Sequence, residues 1–188
     1  TTWQLKYAAE IEGRYRRQEY NMLSAGRGFS GIRQDKIDIP VPKGQRISSR
    51  TRLVREIDSE TFMRLAGWFI SEGYCRPIDS IEAGRISICQ GMQHQEYRKE
   101  IVDILQSLGL HVNTISKNIT AYSYNLAAFL ISQFGYSSAT KRIPQWVKDM
   151  PSELLVILRD TMLKGDGTHS KGRATAYRTI SKQLADDF

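Results

Sequence analysis

The chain has 188 residues, of which 40% are hydrophobic and 25% charged, a balance that excludes wholesale disorder and allows one sizeable folded domain. Lysine and arginine outnumber aspartate and glutamate by 27 to 20, which gives a net charge of +7. The apolar runs fall short of the roughly 20 residues of a membrane span, and two cysteines are too few for a disulfide scaffold or a cysteine-rich zinc site. We therefore expect an intracellular, cytoplasmic protein with no membrane partner.

The positive charge is concentrated in two stretches, 43–55 and 171–182, neither of which contains an acidic residue. Basic blocks of this kind attract polyanions, of which nucleic acid is the commonest inside a cell. A solvated surface face is the alternative interpretation, and charge alone does not choose between the two.

The first 58 residues are rich in arginine, glycine and serine and contain one short strand-like piece at 37–42. We interpret 1–58 as an edge or linker region. Regular structure begins after it with an apolar run at 62–70, which predicts a helix with Ser59 as its N-cap and Gly73 just past its end.

Helices and paired strands then alternate, which predicts a first repeat over 59–137 with the order helix, two strands, helix, two strands, helix. Its later elements are a strand at 85–90, a helix at 96–108 ended by Gly109, a hairpin at 111–124 turning near Lys117, and a helix at 126–134 capped by Asn125.

The rest of the chain starts the same order again. A connector at 138–151 leads to a helix over 154–163, a strand at 175–179 and the beginning of a helix capped by Ser181. We therefore expect a mixed α+β protein in which 138–188 holds a connector and an incomplete second repeat.

Two helix ends share one arrangement. Small residues lie four apart in each, Gly67 and Ser71 in the first helix and Thr161 and Gly165 in the second. Residues at this spacing lie on one helical face, where small side chains let two helix backbones approach closely. An acid follows each small pair directly before a glycine, Glu72 before Gly73 and Asp166 before Gly167.

A carboxylate at the carboxyl end of a helix is disfavoured by the helix dipole, by up to about 1 kcal/mol. Two such ends brought together repel each other more strongly, unless a cation lies between them. Carboxylate and carbonyl oxygens are the ligands that Mg²⁺ prefers, and metal sites of this kind support phosphodiester hydrolysis. A single helix ending in Glu-Gly or Asp-Gly is commonplace, whereas a pair on helices that open two similar halves points to a site.

The paired helix ends resemble the two dodecapeptide motifs of the LAGLIDADG homing endonucleases. Further stretches are similar to those of endonucleases embedded in inteins, or to the splicing-domain edge that precedes them. The matching positions are 65–67 with Glu72 and Gly73, 165–167, 88–90, 141–144 and 179–187, and, for the splicing-domain edge, Trp3, 8–11 and 37–40.

The resemblance implies a fold in which an αββαββα unit occurs twice about a pseudo-two-fold axis, with the sheets straddling double-stranded DNA. It implies a hydrolase that cuts DNA with Mg²⁺, for which Mn²⁺ can substitute. Glu72 and Asp166 would hold the metal with the neighbouring Ser71 and Gly165, and the small pairs would form the helix interface. Catalytic support would come from Gln90, which would place water or metal ligands, and from a basic residue, with Lys117 and Lys182 as candidates.

Cations on strands and nearby loops are the predicted DNA contacts: Arg76, Arg85, Lys117, Arg173 and Arg178. Because the second repeat is short, we expect the chain either to be inactive alone or to complete its platform by self-association. Two further functions use the same basic surface, a DNA-binding module that does not cut (a degenerate endonuclease or a regulator) and an RNA-splicing cofactor.

Overall fold

The structure, a computed structural model, describes residues 30–41, 52–75, 84–168 and 176–188. Two of the predicted DNA contacts, Arg76 and Arg173, lie outside the described residues, as does most of the predicted linker region. The elements follow one another as β1 (Lys36–Asp38), β2 (Glu56–Asp58), α1 (Ser59–Glu72), β3 (Gly73–Cys75), β4 (Arg85–Cys89), α2 (Gln95–Ser107), β5 (Val112–Ile115), β6 (Asn118–Tyr122), α3 (Tyr124–Phe134), α4 (Gln145–Lys148), α5 (Ser152–Asp166), β7 (Gly167–Thr168), β8 (Ala176–Tyr177) and α6 (Lys182–Asp187).

The mixed α+β class is confirmed, with helices packed against antiparallel sheets. Between α1 and α3 the elements follow the predicted order of helix, two strands, helix, two strands and helix. The strands β3, β4, β6 and β5 lie side by side in that order, each antiparallel to its neighbour. In the described part of the second half, α5 is followed by the two-residue strands β7 and β8, which pair with each other, and then by α6.

Alternation along the strands divides the four-stranded sheet into an inner and an outer face. Ile86 and Ile88 of β4 and Ile119 and Ala121 of β6 are fully buried in the hydrophobic core, to which α1, α2 and α3 contribute their apolar faces. The residues that alternate with them on the opposite face are mostly polar, so the apolar side of the sheet is the one that faces the core.

Two predicted helix caps were wrong. Ser59 is the first residue of α1, and the cap is the preceding Asp58, whose carboxylate accepts a hydrogen bond from the Thr61 amide at 2.9 Å. Asn125 lies inside α3, which begins after Ser123. Its side chain instead bonds both backbone groups of Val54, so it ties the segment before α1 to α3.

Several other predicted helix ends agree with the structure, whereas α5 runs from Ser152 to Asp166 and is longer at both ends than the predicted 154–163. α1 ends at Gly73 and α3 at Gly135, and Ser181 caps α6 by accepting a hydrogen bond from the Leu184 amide at 3.2 Å. Gly135 has a φ of +83°, and a Cβ there would lie 2.0 Å from the Thr140 carbonyl oxygen, so only glycine fits this turn. The connector is more ordered than predicted, since it contains a 3-10 turn at Ser138–Thr140 and the short helix α4.

No helix in the described ranges has the length and apolar character needed to cross a bilayer.

Candidate functional site

The helices α1 and α5 pack against each other through their small residues. A Cβ placed on Gly67 would lie 2.7 Å from the Thr161 Cβ, and one placed on Gly165 would lie 2.4 Å from the Ser71 Oγ. Gly67 thus faces Thr161, and Ser71 faces Gly165 four residues later on both helices. The two helices therefore run parallel, and their carboxyl ends emerge together.

The two hydroxyl groups in this interface are satisfied within their own helices. Ser71 donates to the Gly67 carbonyl oxygen at 2.9 Å, and Thr161 donates to the Ile157 carbonyl oxygen at 2.8 Å. These bonds to the preceding turn let polar side chains lie in a close helix contact without leaving a donor unpaired.

The two motif acids lie next to each other at the end of this helix pair. The Glu72 Cγ would be 3.1 Å from a Cβ on Gly165, so the Glu72 side chain lies against the residue that precedes Asp166. Burial raises the pKa of Glu72, and the nearby charge of Asp166 raises it further, while Lys117 lowers it. Burial also raises the pKa of Asp166. The ionised pair is thus unfavourable by itself, and a cation between the carboxylates would stabilise it.

Tyr177 is a contact of Asp166 that the sequence did not assign. Its hydroxyl donates to the Asp166 Oδ2 at 3.4 Å, and this bond opposes the effect of burial on the Asp166 pKa. The position follows from the pairing of β8 with β7, in which Tyr177 lies opposite Gly167, the residue after the acid. The ring stacks on Phe188 with 4.8 Å between centroids, which fixes the direction of the hydroxyl.

Lys141 is a second residue near the acids to which the sequence gave no role. Its ammonium group donates to the Phe69 carbonyl oxygen at 2.7 Å and lies 3.4 Å above the centre of the Phe69 ring. Lys141 is only 3% exposed, and burial lowers its pKa to about 7. At this pKa the charged and the neutral form of the Lys141 side chain are both populated at neutral pH.

Lys141 and Asp166 line one cavity of about 440 Å³ between the end of α1 and the segment from β8 to α6. Ser71, Tyr177, Arg178 and Thr179 contribute further polar groups to its wall, and Ile70, Ile180 and Leu184 contribute apolar ones. The cavity brings one acid, one buried lysine and an exposed arginine together beside the helix pair.

Gln90 and Lys117 lie at the Glu72 end of the sheet. Because Gly73 pairs with Ile88, the strand β4 ends beside the end of α1. The backbone N–H of Gln90 donates to the Lys117 carbonyl oxygen at 2.8 Å, and the Gln90 side-chain oxygen accepts from the backbone N–H of Gly91 at 2.8 Å. The buried Arg98 holds this corner by donating to the Gln90 carbonyl oxygen at 2.6 Å.

The remaining predicted site residues are more distant or more exposed. Arg178 is exposed at the rim of the cavity. Arg85 lies at the opposite end of β4, paired with Tyr122. Lys182 is exposed at the start of α6, where it forms an ion pair with Asp186.

The outer face of the four-stranded sheet carries polar and aromatic side chains that sequence reasoning did not select as a group. Ser87 lies opposite Thr120, and Cys89 lies opposite Asn118, on the face away from the core. Tyr122 is 44% exposed on the same face, at the β6 position that pairs with Arg85. Ser87 is fully buried and Thr120 is 8% exposed, so the groups of this face that reach solvent are the half-buried Asn118 and Cys89 and the exposed Tyr122. Amide and aromatic groups in such positions can contact phosphates and base edges.

Glu72 and Asp166 would supply two carboxylates to a divalent cation. Among the residues that the structure describes, no group of three or more histidine, cysteine, aspartate or glutamate side chains could hold a metal ion. Zinc sites need three or four such ligands, whereas Mg²⁺ is commonly bound by one or two carboxylates and keeps several waters. The donor set thus fits Mg²⁺, with backbone carbonyls, water or substrate phosphate as its other ligands.

Comparison with known proteins finds distant similarity to archaeal sequences. No protein-family model matches the chain. The chain is 26% identical over 148 residues to an uncharacterized protein of Methanocaldococcus jannaschii, and this alignment covers 69% of the chain and 16% of that protein. The chain is 20% identical over 142 residues to the DNA polymerase II large subunit of Thermococcus kodakarensis, and this alignment covers 74% of the chain and 8% of the subunit. The chain thus spans less than a fifth of the length of either relative.

Proposed function

We propose that this chain is the DNA-cutting region of a site-specific endonuclease of the LAGLIDADG type, which hydrolyses phosphodiester bonds of double-stranded DNA with Mg²⁺. The observation that carries the proposal is the pair of parallel helix ends. The carboxylates of Glu72 and Asp166 repel each other and lie side by side at the carboxyl ends of two helices, where the helix dipoles are negative. A divalent cation would stabilise this arrangement.

Glu72 and Asp166 would hold the cation, with Ser71 and Gly165 keeping the helices close enough for both acids to reach it. A bound divalent ion lowers the pKa of water and stabilises the leaving oxygen of a phosphodiester. Tyr177 orients the Asp166 carboxylate through its hydrogen bond, and Lys117 offsets the charge of Glu72.

Lys141 is the basic residue that we assign to proton transfer. Its pKa of about 7 gives a substantial neutral fraction at neutral pH, and its cavity is shared with Asp166. A neutral amine in that position can accept a proton from an attacking water and return it to solvent through the open cavity.

Double-stranded DNA would lie over the outer face of the four-stranded sheet. The net charge of +7 favours phosphate binding, and the half-buried Asn118 and the exposed Tyr122 of that face would contact the bases. The similarity to a short part of a DNA polymerase subunit fits a segment carried within a longer host protein, as in an intein.

A cleavage assay tests this proposal. The substrate is a supercoiled plasmid that carries the host-gene sequence joined as it would be without the inserted segment, incubated with Mg²⁺ or with EDTA. We expect cutting with Mg²⁺ only, and a loss of roughly 10²- to 10³-fold in rate for Glu72→Gln and for Asp166→Asn. Both variants should still retard the DNA in a gel, because neither removes a phosphate contact.

Asp160→Asn is the matched control, since Asp160 is an exposed acid on the same helix α5, paired with Arg159. It should cut at the wild-type rate. Cutting by Glu72→Gln or Asp166→Asn at the wild-type rate would show that the acids do not hold the metal.

A DNA-binding module that does not cut is the second candidate. The observation that favours it is the difference in sheet size, four strands after α1 but two strands of two residues in the described part after α5. A protein of this kind would bind the plasmid equally well in Mg²⁺ and EDTA and leave it supercoiled.

A further inference from the structure

Glu100 of α2 contacts cations from two other helices. The Lys164 ammonium of α5 donates to the Glu100 Oε2 at 2.7 Å, and an Arg64 guanidinium nitrogen of α1 lies 3.7 Å from the Oε1. The Glu100 side chain is 21% exposed and that of Lys164 is 33% exposed, so solvent screens this pair less than it screens a surface ion pair.

An aromatic ring of α2 lies beside the same lysine. The Lys164 ammonium is 5.9 Å from the centre of the Tyr97 ring, a distance at which a cation is still attracted by the ring face. Tyr97 is itself held between His94 and Trp68, with ring centroids 5.4 Å and 5.6 Å away. Two fixed groups of α2 thus define where the ammonium lies.

The place of Lys164 in the chain makes its position important for the acid pair. It immediately precedes Gly165 and Asp166 in the last turn of α5. A lysine stem is long and flexible, so an ammonium released from Glu100 could turn toward the carboxylates of Asp166 and Glu72. There it would neutralise the charge that a divalent cation needs.

We propose that Glu100 is a positioning residue that holds the Lys164 ammonium against α2 and so keeps it from competing with the divalent cation for Glu72 and Asp166. This inference rests on the proposed function, because it assumes that the acids bind a cation. Glu100 with Lys164 and Arg64 carries a net charge of +1 beside the site, whereas loss of Glu100 alone raises that charge to +2.

Titration of Mn²⁺ into the protein without DNA, followed by electron paramagnetic resonance, tests the proposal. Glu100→Gln, which is isosteric, should weaken Mn²⁺ binding roughly fivefold, as expected for one added charge several ångströms from a divalent ion. The double variant Glu100→Gln with Lys164→Gln should restore the wild-type dissociation constant. Asp103→Asn is the matched control, because it frees Lys99 on the exposed side of the same helix and should leave Mn²⁺ binding unchanged.

Lys164→Glu adds a test that does not depend on the folding of Glu100→Gln. This variant also breaks the ion pair with Glu100, but it replaces the positive charge of Lys164 with a negative one. We therefore expect it to bind Mn²⁺ more tightly than the wild type. Thermal unfolding of each metal-free variant separates charge effects from a loss of packing.

Three results would overturn the proposal: wild-type binding by Glu100→Gln, weak binding that persists in the double variant, or weakened binding by both Glu100→Gln and Lys164→Glu. If any of these occurs while the wild type cuts plasmid DNA with Mg²⁺, only the role of Glu100 is refuted. A wild type that neither binds Mn²⁺ nor cuts would refute the proposed function together with this inference.

Discussion

The two motif acids occupy equivalent helix ends but have different surroundings. Glu72, at the end of α1, lies beside the four-stranded sheet, and the exposed Lys117 is the charge that lowers its pKa. Asp166, at the end of α5, accepts a hydrogen bond from Tyr177 and borders the cavity that the buried Lys141 lines. A carboxylate at the end of a helix can thus be stabilised either by a solvent-exposed cation, as at Glu72, or by a hydrogen bond beside an enclosed polar cavity, as at Asp166.

Among the groups that surround the two acids, the largest expected effect comes from Lys141, on the enclosed side of Asp166. Lys141→Met should lower the cleavage rate by about 10²-fold, the usual contribution of a proton-transfer group. The wild-type rate should rise with pH up to about 7, where Lys141 loses its proton, and then level off. Single-turnover rates from pH 6 to pH 9 measure both features, and a variant with an unchanged profile would show that Lys141 has no part in the reaction.

Lys141→Met also has an expected effect on stability. The pKa of Lys141 is about 7 in the folded chain and near the ordinary lysine value of 10.5 in the unfolded chain, so the unfolded state binds more protons between these two pH values. Stability should therefore rise with pH from 7 to 9, by up to about 1.4 kcal/mol per pH unit. Urea unfolding at three pH values should show this slope in the wild type and its loss in the variant.

The next largest effect is expected at the close contact between α1 and α5. Gly165→Ala would place a Cβ 2.4 Å from the Ser71 Oγ, which forces the helix ends apart and should cost about 1–3 kcal/mol of unfolding free energy. Gly91→Ala is the control, since its added Cβ would meet only the flexible end of the Gln93 side chain. Equal stability of the two variants in urea unfolding would mean that α1 and α5 do not pack this closely.

The smallest expected effects distinguish the two neutralising groups. Lys117→Met should raise the pKa of Glu72, because it removes the charge that lowers it, and Tyr177→Phe should raise the pKa of Asp166, because it removes the hydrogen bond. Carbon-13 NMR titration of the carboxyl groups in the metal-free protein measures both. If Lys117→Met shifted the pKa of Asp166 more than that of Glu72, or Tyr177→Phe shifted the pKa of Glu72 more than that of Asp166, the two acids would not have the separate surroundings described above.

Much of the fold could be predicted because its signals are local. Helical spacing, alternating strands and terminating glycines gave the order of elements from α1 to α3. The small residues four apart, each pair followed by an acid, were sufficient to predict that α1 and α5 meet. The caps were harder, since Asp58 and Ser59 are both good capping residues and Asn125 is used for a contact with Val54, 71 positions away.

The residues around the acids could not be predicted in the same way. Lys141 is buried because it meets the Phe69 carbonyl, which is 72 positions distant, and no local pattern distinguishes it from a surface lysine. Tyr177 depends on the register of β7 with β8, which two residues in each strand do not specify from sequence. The Glu100 and Lys164 pair likewise joins helices that lie 64 positions apart.

The hydrogen bond from Lys141 to the end of α1 has a consequence for biosynthesis. α1 carries no basic residue in its own last turn, so the counter-charge for its carbonyl end arrives from the connector. A nascent polypeptide that has emerged only as far as residue 140 has an unneutralised helix end beside Glu72. The carbonyl end of α1 therefore gains this counter-charge only after the ribosome has added the connector, just before the second helix of the pair is synthesised.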